Sequence, residues 1–359
     1  GAFALQFLGA QAGISGLVAF AQSSLYAPLA ILNFLLVAFG LFMSTMHLGK
    51  PKRFYRGFNN LRHSPVSREG LGIAIFVGAM AATVWLLPRR LKGLPVAGIL
   101  LTSMPLGIFL IASVNPSGWA YSMVALFFSA FVAFLAEPQS TRRWILLGAA
   151  GVSIVLGAGA RADAAVYIVL AMVAAWILVF EKQRLTRINV FSTAVLAGVA
   201  FGFYKLGGQG AVITRQSADG IDFGNLAANI VNLPSLWAGS FGTWGLGWLD
   251  TAMPTGVWFV TLGIFLGVIF LALQNSNRRK LGAISLVAFA LVAVPLYVLT
   301  KENIPVGANV QPRYLLPLLA LLVMAAMFPS NDSSTVRFSR SQFALMGLAI
   351  FAANAVALQ

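Results

Sequence analysis

Apolar runs of about 20 residues, separated by short polar or basic stretches, repeat along this chain, the pattern expected of helices that cross a bilayer. Reading each run against that length predicts spans at 3–22, 26–46, 71–88, 94–113, 118–136, 144–159, 164–181, 189–205, 255–273, 281–299, 314–329 and 341–358. The count is therefore about twelve transmembrane helices. The long run over 94–135 is interrupted only by Asn115, Pro116, Ser117 and Gly118. A tight turn is predicted there rather than a kinked helix, because each flanking piece is long enough to span. No stretch alternates with the period of a membrane β-barrel strand, and no internal repeat is evident. The expected fold class is all-α, a polytopic integral membrane helical bundle.

Composition agrees with that reading. The chain has 359 residues, 59% hydrophobic and 9% charged, with a mean hydropathy of +0.86. Such a chain needs lipid around it, which excludes a soluble domain. The net charge of +15 lies in short basic runs between apolar spans, as in cytoplasmic loops, so no nucleic-acid partner is expected. Cysteine is absent, which removes disulfides, iron–sulfur thiolates and cysteine nucleophiles. The two histidines, His47 and His63, stand on one loop, a poor arrangement for bis-histidine haem, and no metal site or covalently bound cofactor is expected. Walker loops, dinucleotide glycine fingerprints and nucleophile elbows are missing. The chain begins inside an apolar segment without an initiator methionine, and is expected to be a fragment.

Basic residues set an expected orientation. Arg89, Arg90 and Lys92, then Arg142 and Arg143, then Lys182, Arg184 and Arg187, then Arg278, Arg279 and Lys280, then Arg337 and Arg340 fall at every second loop, and so belong inside. The loops at 115–118, 159–163, 206–254 and 301–313 then lie outside. One stretch conflicts with this scheme. Residues 47–72, HLGKPKRFYRGFNNLRHSPVSREGLG, carry Lys50, Lys52, Arg53, Arg56, Arg62 and Arg68 against Glu69, yet the alternation puts them outside. Either a partner subunit covers this basic loop, or two unrelated pieces meet near 88–95.

Two resemblances bear on that choice. Ser44 to Lys50 and Pro51, followed by Arg53 to Asn60 and by Ser64 to Glu69, resemble the DmsC membrane-anchor subunit of anaerobic dimethyl sulfoxide reductase over residues 1–90. That resemblance implies a heme-free anchor of about three helices that oxidises menaquinol or ubiquinol, with His47 and Glu69 at the quinol and an iron–sulfur subunit docked on 47–70. An imidazole at a helix end suits a proton acceptor for quinol oxidation, and suits a C-terminal helix cap equally well. Further on, Ser113 to Gly118, Gly159 to Ala164, Gly247 to Thr251 and Gln311 to Pro317 resemble the bacterial multipass family called domain of unknown function 2142 over 94–359. Its plan is similar to polyprenyl-phosphate-dependent glycosyltransferases of the C superfamily, which keep a catalytic acid in a first outer loop ahead of the region matched here.

The expected domains are thus an anchor-like segment at 1–90 and a glycosyltransferase-C-like membrane domain at 91–359 with an outer loop at 206–254. The chain is expected in the cytoplasmic membrane of a bacterium. Its candidate outer-face site has Asn115, Arg161, Trp248 and Arg313 binding a polyprenyl-phosphate-linked sugar and Asp250 and Asp163 as catalytic acids. Arginine grips phosphate through paired donors. Each residue has a plainer reading: Arg161 and Asp163 as an interfacial ion pair, Asp250 as a helix cap, Arg313 as an interfacial anchor and the tryptophans as an aromatic belt. Three functions stay open: a membrane glycosyltransferase, a non-catalytic quinol-binding anchor subunit, and a chimeric fragment with no complete site.

Overall fold

A computed structural model of the chain describes residues 83–102, 105–112, 115–137, 141–207, 222–244, 253–274, 276–308, 310–329 and 339–357. Among these residues there are helices and no strands. In chain order they are α1 Gly93–Thr102, α2 Pro105–Ala112, α3 Pro116–Ala136, α4 Thr141–Ala160, α5 Ala162–Val179, α6 Arg187–Leu206, α7 Phe223–Ala238, α8 Thr255–Leu273, α9 Arg278–Glu302, α10 Leu316–Met327 and α11 Arg340–Ala357. Helices α3, α4, α5, α6, α8 and α9 are long and apolar enough to cross a membrane, six in all among the described residues. A seventh is reached if α1 and α2 form one broken span. The chain is a multipass membrane protein, and the expected count of about twelve goes beyond what these helices support. Spans 3–22 and 26–46, and most of 71–88, lie outside the described residues.

The bundle is organised around α3. Of its spanning window 94% is buried, against 28% for α8 and for α9. A helix that is apolar all round belongs inside, and α3 stacks Phe127, Phe131 and Phe134 along its length. Helices α4, α5, α10 and α1 pack around it. Its start is encoded locally: the Asn115 side chain accepts from the Ser117 amide at 2.9 Å, and Pro116 occupies the first helical position, where a missing N–H costs nothing.

The run at 94–113 does not form the single span expected. It breaks between α1 and α2, which are bent by 105°. Pro105 opens α2, and a proline inside a continuous helix would remove a backbone hydrogen bond. Helix α2 then lies against the start of α3, where Gly118 touches the Leu110 carbonyl so closely that no side chain fits.

Arg142, Arg143, Arg184 and Lys280 gather at one end of the bundle and act on helix termini. Arg184 donates to the carbonyls of Leu135 and Ala136 at 3.2 and 2.8 Å, closing the C-terminal end of α3. Arg142 reaches the carbonyls of Trp85, Leu86 and Leu87. Lys280, 1% exposed, donates to the Ala272 carbonyl at the end of α8. Arg143 hydrogen-bonds Asn189 and lies 4.7 Å from the Phe134 ring centroid.

Part of the segment expected as an outer loop is instead helical. In α7, Asn229, Leu233 and Leu236 are buried on one face, at spacings of four and three. Asp222 caps its start with hydrogen bonds to the amides of Gly224 and Asn225. The helix runs antiparallel to α9: Asn225 meets Asn303, Asn229 bonds Ile304 and Val306, and Trp237 Nε1 donates to the Leu291 carbonyl. It ends in a wide turn, Gly239–Thr243, where Gly242 takes a φ of 119°. The Phe241 ring there packs at a tilt against Phe265, and its carbonyl accepts from Thr261. Counted at 1.5 Å per residue from Thr255, those α8 positions lie about 9–15 Å along the span. The turn Gly239–Thr243 therefore reaches into the bundle.

Candidate functional site

At the end opposite the basic cluster, three chain segments meet: the start of α3, the break between α4 and α5, and the turn Pro312–Tyr314 ahead of α10. Arg161 joins them. It sits in extended backbone between two helices, as the N-cap of α5, so its side chain is free of either helical surface. Its Nε and Nη2 donate to the two carboxylate oxygens of Asp163 at 2.9 and 2.6 Å, a bidentate pair. Nη1 donates to the Ser117 hydroxyl at 3.1 Å, and the guanidinium carbon lies 4.3 Å from the Tyr314 ring centroid. Burial opposes the charge on Arg161. The hydrogen bonds and negative charge of Asp163, with further help from Tyr314, outweigh it and hold the pKa above the ordinary guanidinium value.

Asp163 occupies the first turn of α5, where a negative charge also meets the positive end of the helix dipole. Both its oxygens are taken by Arg161. The Arg313 guanidinium carbon lies 5.4 Å from the same Tyr314 ring. Its Nε is buried with no hydrogen-bond partner, and among the described residues no carboxylate pairs with it. Arg161, Asp163 and Arg313 together leave one net positive charge, and that charge belongs to Arg313.

The turn carrying Arg313 is fixed from behind. Ser240, fully buried in the wide turn after α7, donates to the Pro312 carbonyl at 3.0 Å. Gly239 lets the Pro312 ring close in, since a Cβ there would stand 2.6 Å from Pro312 Cγ. Gln311, 6% exposed, has a side-chain oxygen with no partner.

Of the residues expected from sequence, Arg161, Asp163 and Arg313 come together. Asn115 joins them indirectly, because its side chain caps α3 through Ser117, the residue that receives Arg161. Trp248 and Asp250 lie outside the described residues, as do His47 and Glu69. Four residues were missed: Ser117, Tyr314, Gln311 and Ser240. The first three stand in the polar motifs around Asn115 and Arg313, so proximity in sequence was an available signal. Ser240 had none, since only the fold carries it to Pro312. Among the described residues no cluster of His, Asp or Glu could hold a metal ion.

A family model described as "Predicted membrane protein (DUF2142)" matches residues 71–322, more than half of the chain. The match runs across 88–95, where the sequence suggested a junction, and includes the span 71–88 that was grouped with the anchor-like part. No curated protein and no solved structure matches the chain. Nothing in these comparisons supports the resemblance of residues 1–90 to the dimethyl sulfoxide reductase anchor.

Proposed function

Starting from a chain that belongs to the DUF2142 family of predicted membrane proteins, a description that specifies an architecture and no reaction, we propose that it binds polyprenyl-phosphate-linked sugars at the outer face of a bacterial cytoplasmic membrane. The observation that carries this reading is Arg313, a half-buried cation that no carboxylate among the described residues pairs with, beside an Arg161 already neutralised by Asp163. An unbalanced guanidinium at an interface is satisfied by an anionic ligand, and a lipid phosphate is the anion a membrane supplies there. Sidedness follows the positive-inside rule, which assigns the Arg142, Arg184 and Arg279 end to the cytoplasm and the Arg161 end to the outside.

In this reading the residues divide their work. Arg313 meets the phosphate. Arg161 orients Tyr314 and ties α3 to α5, with Asp163 holding its fork in place. Asp163 is committed to Arg161, which leaves Asp250, in the sequence beyond α7, as the candidate for proton transfer in a glycosyl transfer. No observation favours the quinol-oxidising alternative, whose His47 and Glu69 lie outside the described residues.

The test is binding of a long-chain polyprenyl phosphate to the purified protein in phosphatidylcholine nanodiscs. Arg313→Ala is expected to weaken binding by roughly tenfold to a hundredfold, the range for a charge-assisted hydrogen bond. Arg161→Ala is expected to weaken it also, by releasing the Tyr314 turn. Unchanged binding in both variants overturns the reading.

A further inference from the structure

Two prolines interrupt the antiparallel pair α7 and α9 at the same level. Pro295 removes from α9 the amide that would bond the Leu291 carbonyl, and Pro234 does the same to the Ile230 carbonyl of α7. The register is fixed by Asn225 on Asn303 and by Trp237 on Leu291, contacts twelve residues apart on either helix. Counting between them puts Pro234 opposite Val294, one residue from Pro295. Prolines are where helices bend. On the bundle side of this level, the Trp237 indole donates at 3.1 Å to the carbonyl that Pro295 deprives of its helical amide, and Ser240 holds Pro312 from behind. On the outer side, Asn225 bonds Asn303 at 3.0 Å, and Asn229 bonds Ile304 and Val306 at 2.9 and 2.8 Å. These three bonds tie the first half of α7 to the end of α9, and none of them crosses the proline level.

We propose that residues 223–233 and 296–306 form one lid, hinged on the paired prolines Pro234 and Pro295, that swings against the Arg313 turn. The stationary side carries that turn, because Ser240 and Gly239 hold Pro312. The moving side ends at Val306, and the chain between the two passes through Gly307, whose φ of 101° marks a bend that other residues rarely adopt. A swing at the prolines therefore changes the gap between Val306 and the Arg313 turn. Trp237 makes the hinge tolerable: a carbonyl buried beside a proline is costly when bare, and the indole satisfies it without a backbone amide. The lid's outward surface is open to movement, with Phe223, Ile230, Val231 and Tyr297 exposed. The device governs access, and does not depend on which ligand Arg313 meets.

The experiment measures distances between spin labels, by pulsed electron paramagnetic resonance, on the intact chain in phosphatidylcholine nanodiscs. The chain has no cysteine of its own, so each pair of introduced cysteines is labelled cleanly. Ala227→Cys with Glu302→Cys places both exposed labels on the lid, and one narrow distance is expected. Ala227→Cys with Phe259→Cys places one label on the lid and one on the exposed side of α8. Ala227 lies about 10 Å along α7 from Pro234, so a swing of about 20° carries its label about 4 Å, and a broad or doubled distance is expected. Pro234→Ala/Pro295→Ala restores both amides and is expected to narrow the second distribution to one peak while leaving the first unchanged. Equally narrow distributions for the two pairs, with both prolines present, overturn the proposal. A broad distribution within the lid pair also overturns it, since the two segments then do not move together. An undiminished width in the folded alanine variant removes the hinge from the prolines and overturns it as well. The first two results need no proline variant, so they decide the matter even where that variant does not fold.

Discussion

Arg161 touches three side chains, Asp163, Ser117 and Tyr314, from three segments, and its hydrogen bonding is spent within the protein. Its side chain is 19% exposed and that of Asp163 23%, between the surface pairs that contribute little and the buried pairs whose rupture is costly. Arg161→Met is therefore expected to destabilise the protein by roughly 1–3 kcal/mol, since it leaves the carboxylate and the Ser117 hydroxyl without their donor. The double variant Arg161→Met/Asp163→Leu should be more stable than Arg161→Met alone, because the stranded charge is gone. Thermal unfolding in detergent checks both. A double variant less stable than the single one contradicts the account of the pair as a structural clamp. Arg313 should behave in the opposite way: with no carboxylate to strand, Arg313→Ala should leave the unfolding temperature nearly unchanged while affecting ligand binding.

Two contacts decide how the irregular elements are held. Asn229, 1% exposed, donates to the Ile304 carbonyl at 2.9 Å and accepts from the Val306 amide at 2.8 Å, pinning α7 to the chain that leaves α9. Asn229→Ala leaves two backbone groups unpaired and should cost about 1–3 kcal/mol, visible as a lower unfolding temperature. At the other junction, Gly118→Ala forces a methyl into the Leu110 carbonyl and should cost about 1–3 kcal/mol through displaced backbone. The control is Gly148→Ala on α4, which meets nothing within 4 Å and should be neutral or stabilising, as alanine replaces glycine in a helix. Equal effects at the two glycines would refute the close approach of α2 to α3. Neither element was legible in the sequence. Residues 94–113 are apolar enough on average that hydropathy reports one span and is blind to a 105° bend at Thr102 to Pro105. The connector over 206–254 reads as a loop because Asp222, Asn225, Asn229 and Asn232 interrupt its apolar residues, and only the fold shows that Asn229 is buried with Leu233 and Leu236.

For the whole molecule, the antiparallel succession of spans separates two chemically distinct ends. One holds Arg142, Arg143, Arg184, Arg279 and Lys280; the other holds Arg161, Asp163, Arg313 and the α7–α9 contact. Because the chain has no cysteine, single-cysteine variants report sidedness without a background. Cysteine at Glu302 should react with an impermeant maleimide in intact cells, and cysteine at Lys182 only after permeabilisation. The reverse pattern would invert the orientation and put the Arg313 turn in the cytoplasm. By itself the sequence determined the membrane class, the boundaries of the long spans and the alternation of basic loops. Each follows from a local quantity: the length of an apolar run against the thickness of hydrocarbon, and the charge of the loops beside it. It also marked Arg161, Asp163 and Arg313, because charge is conspicuous in an apolar chain. Only the tertiary structure decided that Asp163 is spent on Arg161, that no carboxylate among the described residues pairs with Arg313, and that Ser240 comes up behind Pro312. Hydrogen bonds between residues 72 apart depend on how helices pack, and packing is a property of the assembled bundle that no single stretch of chain encodes.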